Sequence, residues 1–274
     1  MTAGADLLQA IVASSRASVD ARALAVPRAA LERRAAARGP RAGRFRDALA
    51  DGAAPRVIAE CKRRSPSRGV LRPEYDAAAI ASAYAAAGAA AISVLTEPGF
   101  FDGDLAHLEA VRAAVDLPVL RKDFVVDEYQ LLEARAAGAD AVLLIVAALE
   151  GRAFTDLLAA CGRHGLAALV EVHDAGELAR AVDAGADVIG VNQRNLRTLE
   201  VSPVRALELV ASIPDGCLAV AESGLRTGGE VARLARAGFD AFLVGERLMT
   251  APSPGRALEG LIGDARAVLA EEGQ

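Results

Sequence analysis

Short apolar stretches alternate along the chain with longer segments of helical spacing. Four of these stretches follow a glycine that ends a helical segment, namely Gly88, Gly138, Gly185 and Gly238. A glycine supplies the left-handed backbone that closes a helix, and a continuous apolar run is typical of a parallel strand buried on both faces. These segments therefore predict four repeats of helix end, glycine and strand.

The spacing of the repeat glycines predicts a second strand within each repeat. They lie 50, 47 and 53 residues apart, about twice the length of one strand-plus-helix unit. The intervening strands are predicted at 57–61, 117–123, 166–172 and 217–223. Eight such units favour an α/β fold, the closed (β/α)8 or TIM barrel. A doubly wound open sheet is the structural alternative, but the GxGxxG sequence is absent after the first strand.

We expect one domain, with a helical extension at 1–50 and the barrel at 55–274. Residues 5–50 are rich in Ala, Leu and Arg at helical spacing, with breaks near Pro27 and at Gly39-Pro40. The extension has two alternative places. It either caps the bottom or side of the barrel, or forms a lid beside the active site.

Composition narrows the class of partner. The chain of 274 residues has a net charge of −5, 4% aromatic residues and no Trp, which opposes binding to nucleic acid. No apolar run reaches the roughly 18 residues of a membrane span, and the start lacks the basic residues of a secretory signal. The three cysteines lack metal-ligand spacing. We therefore expect a cytoplasmic protein with a small-molecule partner, no membrane association and no metal.

Polar residues recur at the carboxyl ends of five predicted strands. Active sites of this fold lie at those ends, and charges in buried strands are costly unless they are paired. We therefore expect one site at the open end of the barrel, formed by Glu60 and Lys62, Lys122 and Asp123, Glu171 and His173, Asn192 and Arg194, and Glu222 and Ser223.

Small residues after the last two predicted strands indicate an anion site. Ser223-Gly224 and Gly245 can present backbone N–H groups, and a short helix is predicted from Glu246. A carboxylate pointing at a phosphate would repel it, so we expect the Glu246 side chain to turn outward. The sequence therefore predicts a phosphorylated substrate.

Five motifs stand out at the predicted strands and the loops after them: IAECKRRSPS at 58–67, LRKDF at 120–124, LVEVH at 169–173, GVNQRNL at 190–196 and AESG at 221–224. Together, and in this order, they resemble the indole-3-glycerol-phosphate synthase family. The resemblance implies a lyase of tryptophan biosynthesis that converts 1-(2-carboxyphenylamino)-1-deoxyribulose 5-phosphate to indole-3-glycerol phosphate, losing carbon dioxide and water. It implies no cofactor, and we expect a monomer or a weak homo-oligomer.

The resemblance also implies residue roles. Lys122, in a largely apolar pocket, would protonate the ketone oxygen as the aryl carbon attacks. Lys62 would pair with the anthranilate carboxylate, and Glu60 and Asn192 would orient lysine or substrate hydroxyl groups. Glu171 would serve the later proton transfers, or else act as a structural partner of a lysine. The predicted catalytic residues are Lys122, Glu171, Lys62, Glu60 and Asn192, and the predicted substrate-binding residues are Ser65, Phe124, Arg194, Leu196, Glu222, Ser223, Gly224 and Gly245.

Two other interpretations remain open at this point. A different phosphate-binding barrel, such as an aldolase or another lyase, would use Lys122 as a Schiff-base nucleophile. A non-catalytic barrel that serves as a scaffold would not need Glu60, Lys62, Lys122 and Glu171 together at strand ends.

Overall fold

The computed structural model describes residues 3–39, 41, 43–51, 54–194 and 203–271, without the side chains of 3–6 and 203. Within these ranges eight parallel strands close into a barrel in the order β1-β8-β7-β6-β5-β4-β3-β2, and β2 pairs with β1. The strands are β1 Arg56–Cys61, β2 Ala91–Leu95, β3 Val119–Lys122, β4 Ala141–Ile145, β5 Ala167–Val172, β6 Val188–Asn192, β7 Leu218–Glu222 and β8 Ala241–Val244. A two-stranded antiparallel hairpin, Arg64–Ser65 with Gly69–Val70, follows β1.

Helices surround the barrel and precede it. They are α1 Ala3–Ala25, α2 Arg28–Ala36, α3 Arg44–Ala50, α4 Ala77–Ala86, α5 Pro98–Phe101, α6 Leu105–Ala114, α7 Glu128–Ala137, α8 Ala153–Arg163, α9 Ala175–Asp183, α10 Pro203–Val210, α11 Gly228–Arg236, α12 Glu246–Met249 and α13 Pro254–Glu271. A 3-10 turn covers Val146–Ala148. None of the helices in the described ranges is long and apolar enough to cross a membrane.

The glycine repeat has the structural meaning that the sequence predicts. All four repeat glycines have positive φ, from 83° to 109°, and each stands between a helix and the next strand. The strands at 57–61, 117–123, 166–172 and 217–223 are confirmed, with small differences at their ends. The closed barrel is therefore confirmed, and the open-sheet alternative is wrong.

Strand alternation sets which residues fill the barrel. Side chains two apart along a strand share a face, and the odd-numbered strands send Ile58, Leu120, Leu169 and Val220 into one interior cluster. Residues between these positions, such as Val57 and Val119, pack outward in a separate cluster beneath the helices. The interior is therefore layered, with alternate strands contributing to each layer.

The three helices of the N-terminal extension occupy different places. Phe45 and Leu49 of α3 join the interior cluster, and α3 contacts β2 and β7, so α3 closes the bottom of the barrel. Helix α2 packs along the side against α7. The first turns of α1 bring Leu8 and Ile11 to the cavity at the opposite end. Different helices of the extension thus occupy both of the predicted positions, the bottom or side of the barrel and the side of the cavity.

Candidate active site

One cavity of about 850 Å³ opens at the carboxyl ends of the barrel strands. Its wall includes side chains or backbone from all eight strands and from loops that follow them. Leu196 lies outside the described residues. The structure brings the other predicted site residues to this cavity: Glu60, Lys62, Ser65, Lys122, Phe124, Glu171, Asn192, Arg194, Glu222, Ser223, Gly224 and Gly245.

The floor of the cavity is a layer of four charged side chains. They stand two residues beyond the apolar layer in the same odd-numbered strands: Glu60 on β1, Lys122 on β3, Glu171 on β5 and Glu222 on β7. Alternate strands supply each layer of such a barrel, so residues distant in sequence meet at the barrel axis. A layer that is ordinarily apolar is here charged.

Lys122 lies at the centre of this layer. Its Nζ is 3.1 Å from Oε2 of Glu171 and 3.3 Å from Oε2 of Glu222. Beside them, Nζ of Lys62 is 2.5 Å from Oε1 of Glu60. Two ammonium groups thus meet three carboxylates, and the layer holds an excess negative charge when all are ionised.

These contacts shift the pKa values of the central groups in different directions. Burial by itself lowers the pKa of Lys122, but the charges of Glu171, Glu222 and Glu60 raise it well above its usual range. Burial raises the pKa of Glu171, but Lys122 and the contacts with His173 and Asn192 hold it well below its usual range. Lys122 is therefore an ammonium and Glu171 a carboxylate.

Glu222 behaves in the opposite way to Glu171. Its burial, together with repulsion from Glu171, outweighs the attraction of Lys122 and raises the pKa of Glu222 to about 8. Its buried Oε1 has no hydrogen-bond partner among the described residues. The cavity that contains Lys122 has an apolar wall, as expected, but the immediate neighbours of the ammonium are carboxylates.

Two glycines make room for the carboxylates. A Cβ on Gly190 would lie 2.1 Å from Oε1 of Glu222, and one on Gly245 would lie 2.2 Å from Oε1 of Glu60. Such contacts are far shorter than van der Waals distances, so a side chain at either position would displace a carboxylate. Gly245 therefore has a steric role in addition to the backbone role predicted for it. Gly190, inside the GVN motif, was not singled out from the sequence.

The wall of the cavity on the side of β3 and β4 is apolar. Leu8 and Ile11 of α1, Phe101 of α5, Phe124 and Leu143 line it. The rings of Phe101 and Phe124 are tilted by 33° with centroids 6.0 Å apart. Phe124 and Leu143 place this wall beside β3 and β4, which lie across the closed barrel from β7 and β8.

The rim near β7 and β8 is polar. Ser223 and Gly224 both have positive φ, 63° and 74°. For a non-glycine residue such as Ser223 this conformation is uncommon, and strain of this kind is found at functional sites. Helix α12 begins directly after Gly245, as predicted.

Glu246 does not turn outward as expected. Its carboxylate lines the cavity, with Oε1 3.0 Å from Nε of Arg68 and Oε2 3.7 Å from an Nη of Arg194. Arg68 comes from the hairpin after β1 and Arg194 follows the end of β6. The two guanidinium groups compensate the charge of the carboxylate, and the prediction of an outward side chain did not include them. Arg68 directly follows the SPS sequence of the first motif, and this position in the sequence could have indicated that Arg68 is a cavity residue.

Two of the strand-end charges expected at the mouth act elsewhere. Asp123 borders the cavity, but its Oδ2 accepts hydrogen bonds from Thr96 at 2.6 Å and from Arg121 at 2.8 Å, outside the barrel interior. His173 does not line the cavity and lies behind Glu171, with its Nε2 3.3 Å from Oε1 of Glu171. Asp123 therefore lies at the cavity as expected, although its carboxylate is engaged with Thr96 and Arg121. The expectation is wrong for His173, because strand direction alone does not fix where a side chain after the strand points.

No group of three or more His, Cys, Asp or Glu suited to holding a metal ion occurs in the described part of the chain. The cysteines are free; Cys61 and Cys161 are buried and Cys217 is half-buried.

Comparison with known proteins identifies a family. The profile of the family described as indole-3-glycerol phosphate synthase matches residues 8–261. Curated relatives carry that name, and two of them show the extent of the match. The one from Beutenbergia cavernae is 51% identical over 261 residues, covering 93% of this chain and 94% of its own. The one from Chromobacterium violaceum is 48% identical over 261 residues, covering 93% and 97%.

Solved structures of other proteins share the fold. Mandelate oxidase in complex with benzoyl-formic acid has a TM-score of 0.60 at 22% identity, covering 89% of this chain and 93% of its own. Thiamine phosphate pyrophosphorylase from Pyrococcus furiosus has a TM-score of 0.59 at 19% identity, covering 83% and 98%. At this level of identity the likeness concerns the fold alone.

Proposed function

The chain belongs to the indole-3-glycerol phosphate synthase family, and on that premise we propose how its cavity performs the decarboxylating ring closure of this lyase of tryptophan biosynthesis. The observation that carries the proposal is the Lys122 ammonium held between Glu171 and Glu222 on the floor of a cavity with one apolar and one polar wall. The substrate is 1-(2-carboxyphenylamino)-1-deoxyribulose 5-phosphate, a small molecule whose two ends match those walls.

The substrate lies across the barrel mouth. Its aryl ring packs against the apolar wall that includes Phe124 and Leu143, where burial of apolar surface is favourable. Its phosphate faces the polar rim, where Ser223, Gly224 and the guanidinium of Arg194 supply N–H donors. The ketone then lies between the two ends, above the charged floor. Both carbons belong to one molecule, so holding the aryl carbon near the ketone carbon restricts the substrate to conformers close to the geometry of ring closure.

Lys122 acts as the general acid of ring closure. As the aryl carbon bonds to the ketone carbon, the ketone oxygen gains negative charge and takes a proton from the ammonium. The neighbouring carboxylates keep this lysine protonated before the step, as the raised pKa indicates. The forming oxyanion is a much stronger base than the carboxylates, so it can take the proton that they hold on the lysine.

Lys62 binds the substrate carboxylate, and Glu60 positions Lys62. Their contact of 2.5 Å fixes the ammonium at the cavity edge, where 17% of the Lys62 side chain is exposed. The carboxylate leaves as carbon dioxide once the new carbon-carbon bond has formed, and its bonding electrons restore the aromatic ring. An ammonium that holds the carboxylate near the ring plane contributes to the bent shape needed for closure.

Dehydration completes the reaction and requires both an acid and a base. The hydroxyl made in ring closure leaves as water after gaining a proton, and a carbon-bound proton is lost to form the indole double bond. Two protons are donated and one is accepted, so one proton is taken up per turnover when the substrate carboxylate starts ionised. Glu171, held ionised beside Lys122, is the group suited to accept the carbon-bound proton. Asn192 at the end of β6 lies close enough to lower the pKa of Glu171 and is suited to orient it.

The Schiff-base alternative is disfavoured by the charge of Lys122. A lysine that attacks a carbonyl must lose its proton, and nucleophilic lysines have lowered pKa values. The pKa of Lys122 is raised instead. Incubation with substrate and borohydride tests this directly, since a covalent adduct on Lys122 would support the alternative.

A fluorescence assay tests the proposal as a whole. Purified protein mixed with the substrate should produce indole fluorescence at a rate proportional to protein concentration, with release of carbon dioxide in equal amount. Fluorescence that is absent in wild type, or unchanged when Lys122 is replaced by alanine, would contradict the proposal. The domain limits, the cytoplasmic location, the absence of nucleic-acid and membrane partners and the monomeric or weakly oligomeric state remain predictions from the sequence.

A further inference from the structure

His173 stands directly after β5 and behind the floor of the cavity. Only 12% of its side chain is exposed, and it is not part of the cavity wall. Its Nε2 lies 3.3 Å from Oε1 of Glu171, and its Nδ1 lies 3.0 Å from Oε2 of Glu177 on α9. The imidazole therefore bridges the cavity floor and the outer helical layer.

We propose that His173, in its protonated form and held by Glu177, is a positioning residue that keeps the Glu171 carboxylate ionised and correctly oriented. The inference rests on the proposed role of Glu171 as a proton acceptor. His173 does not touch the substrate and acts only through Glu171.

The inference that His173 orients Glu171 follows from the contacts of the two carboxylate oxygens of Glu171. Oε2 of Glu171 faces Lys122 at 3.1 Å on the cavity side, and Oε1 faces His173 from behind. Each oxygen therefore has its own cation, and rotation of the carboxylate would lose one of the two contacts. The ring itself is fixed, because Oε2 of Glu177 accepts from the backbone N–H of His173 at 2.8 Å as well as from Nδ1.

The position of Glu177 is in turn set by the start of α9. Asp174 is the N-cap, and its carboxylate accepts from the backbone N–H of Glu177 at 2.9 Å. This contact places Glu177 in the first turn, one helical turn from His173. The anchor for the imidazole is therefore part of the secondary structure.

The inference that His173 is protonated follows from the number of N–H groups on its imidazole. A neutral imidazole carries one N–H, and an imidazolium carries two. A neutral His173 that donates from Nδ1 to Glu177 would turn a lone pair towards Oε1 of Glu171, whereas the imidazolium places a positive charge 3.3 Å from that oxygen, as an ion pair rather than a hydrogen bond. Burial by itself lowers the pKa of His173, but Glu171 and Glu177 raise it to about 10. Among the described residues the titratable groups that act on Glu171 are Lys122, His173 and Glu222, so loss of His173 would leave it one cation, beside a second carboxyl group that is ionised above about pH 8.

Nuclear magnetic resonance can measure the charge of His173 directly. The chain has three histidines, so the imidazole signals can be assigned with His173→Gln and His164→Gln. We expect the His173 signal to remain that of an imidazolium through pH 8 and to titrate near 10. In Glu177→Gln it should titrate at least one pH unit lower, since an opposite charge at this distance shifts a pKa by about one to three units. A neutral His173 at pH 7 in the wild type would overturn the proposal.

Kinetics test the effect on Glu171. His173→Gln should lower kcat by about tenfold or more with less than about a threefold change in KM, because a misplaced group costs rate rather than binding. His164→Gln is the matched control: its Nε2 lies 2.8 Å from Glu128, with neither residue at the cavity. It removes a comparable His–Glu pair and should leave kcat unchanged.

The pH dependence separates positioning from a merely structural role. The ratio of the Glu177→Gln rate to the wild-type rate should be near one at pH 6, where His173 is still protonated. It should fall as pH rises through the lowered pKa of His173, towards the ratio measured for His173→Gln. A ratio that is constant with pH, or an unchanged kcat in His173→Gln, would overturn the proposal.

If the proposed function itself is wrong, the variants should give a different pattern of kinetic results. If Glu171→Gln keeps full kcat, the role of Glu171 is wrong whatever His173 does. If Glu171→Gln loses activity while folded His173→Gln does not, only the role of His173 is wrong. Should His173→Gln not fold, the wild-type titration and the Glu177→Gln ratio still decide the question.

Discussion

Arg121 and Lys122 are neighbours in one strand, both are buried cations, and the barrel uses them in opposite ways. Arg121 points outward and is 1% exposed. Its guanidinium donates to Asp123, Thr96, Glu133 and the carbonyl of Gln130. Lys122 points inward to a cavity and faces Glu171 and Glu222. The two-residue period of the strand assigns one cation to the helical layer and the other to the barrel axis.

The two surroundings differ in how completely the polar groups are paired. Outside the barrel, Glu133 binds both Arg121 and Arg22, so two arginines meet two carboxylates, Glu133 and Asp123. Inside, three carboxylates meet two lysines and an oxygen of Glu222 is unpaired. A fully paired network in a buried layer adds little or no net stability over an apolar layer, but removing one of its partners is costly. An incompletely paired network beside a cavity leaves charged groups that can interact with a bound substrate.

Lys122→Ala should give the largest effect and should act on catalysis. We expect kcat to fall by about 10² to 10⁴-fold with a smaller change in KM, because a general acid acts mainly in the transition state. Steady-state kinetics with the fluorescence assay measures both constants. A loss confined to KM would reassign Lys122 to substrate binding.

Arg121→Met should act on stability instead. Removing the guanidinium leaves Asp123 and Glu133 with fewer buried partners, and such a change costs about 3 to 5 kcal/mol of unfolding free energy. Denaturant unfolding measures it, with Arg121→Lys as a milder control that retains the charge but not the fork of donors. The folded fraction should retain the wild-type kcat. A stable Arg121→Met with lowered kcat would remove the contrast between the two cations.

The pH dependence of the rate should separate the two central carboxylates. Glu222, whose pKa is raised to about 8, carries a proton below that pH and loses it as pH rises. We therefore expect the wild-type kcat/KM to fall above about pH 8, whereas Glu222→Gln, which resembles the protonated form, should lack this fall. Glu171 is already ionised, so Glu171→Gln should lose activity across the whole range. A wild-type profile that is flat to pH 9.5 would contradict the assignment for Glu222.

Glu246→Gln should give the smallest effect, because its ion pairs lie at the rim. Arg68 is 61% exposed and Glu246 28% exposed, and exposed pairs contribute little. Without the carboxylate, Arg68 and Arg194 can turn to the phosphate, so KM should fall about two- to fivefold at low ionic strength, and less as salt screens the charges. An unchanged KM at low salt would mean that these arginines do not reach the phosphate.

Much of this architecture is local in origin and is therefore readable in the chain. Glycines such as Gly138 with φ of 95° end helices, and apolar runs form strands wherever they are buried on both faces. Both signals depend on neighbouring residues only. The meeting of Glu60, Lys122 and Glu171 at one end follows as well, because every strand of a parallel barrel points the same way.

The pairing of the polar side chains was not readable in this way. The sequence predicted Glu246 to face solvent, but an arginine 178 positions away holds it at the cavity. It also did not assign His173 to the back of Glu171 or Gly190 to the space beside Glu222. These placements depend on loops and on residues far apart in the chain.

The sequence by itself thus determined the number of strands, their common direction and the end of the barrel at which charge collects, since helix caps and strand periodicity act over a few residues. Only the tertiary structure decided that α3 closes the bottom while α1 reaches the mouth, and that Lys122 touches both Glu171 and Glu222. The physical reason is that closure of the barrel brings the odd-numbered strands to one axis. Contacts across that axis join residues with no local relation in sequence, and their distances set the charges on which the chemistry depends.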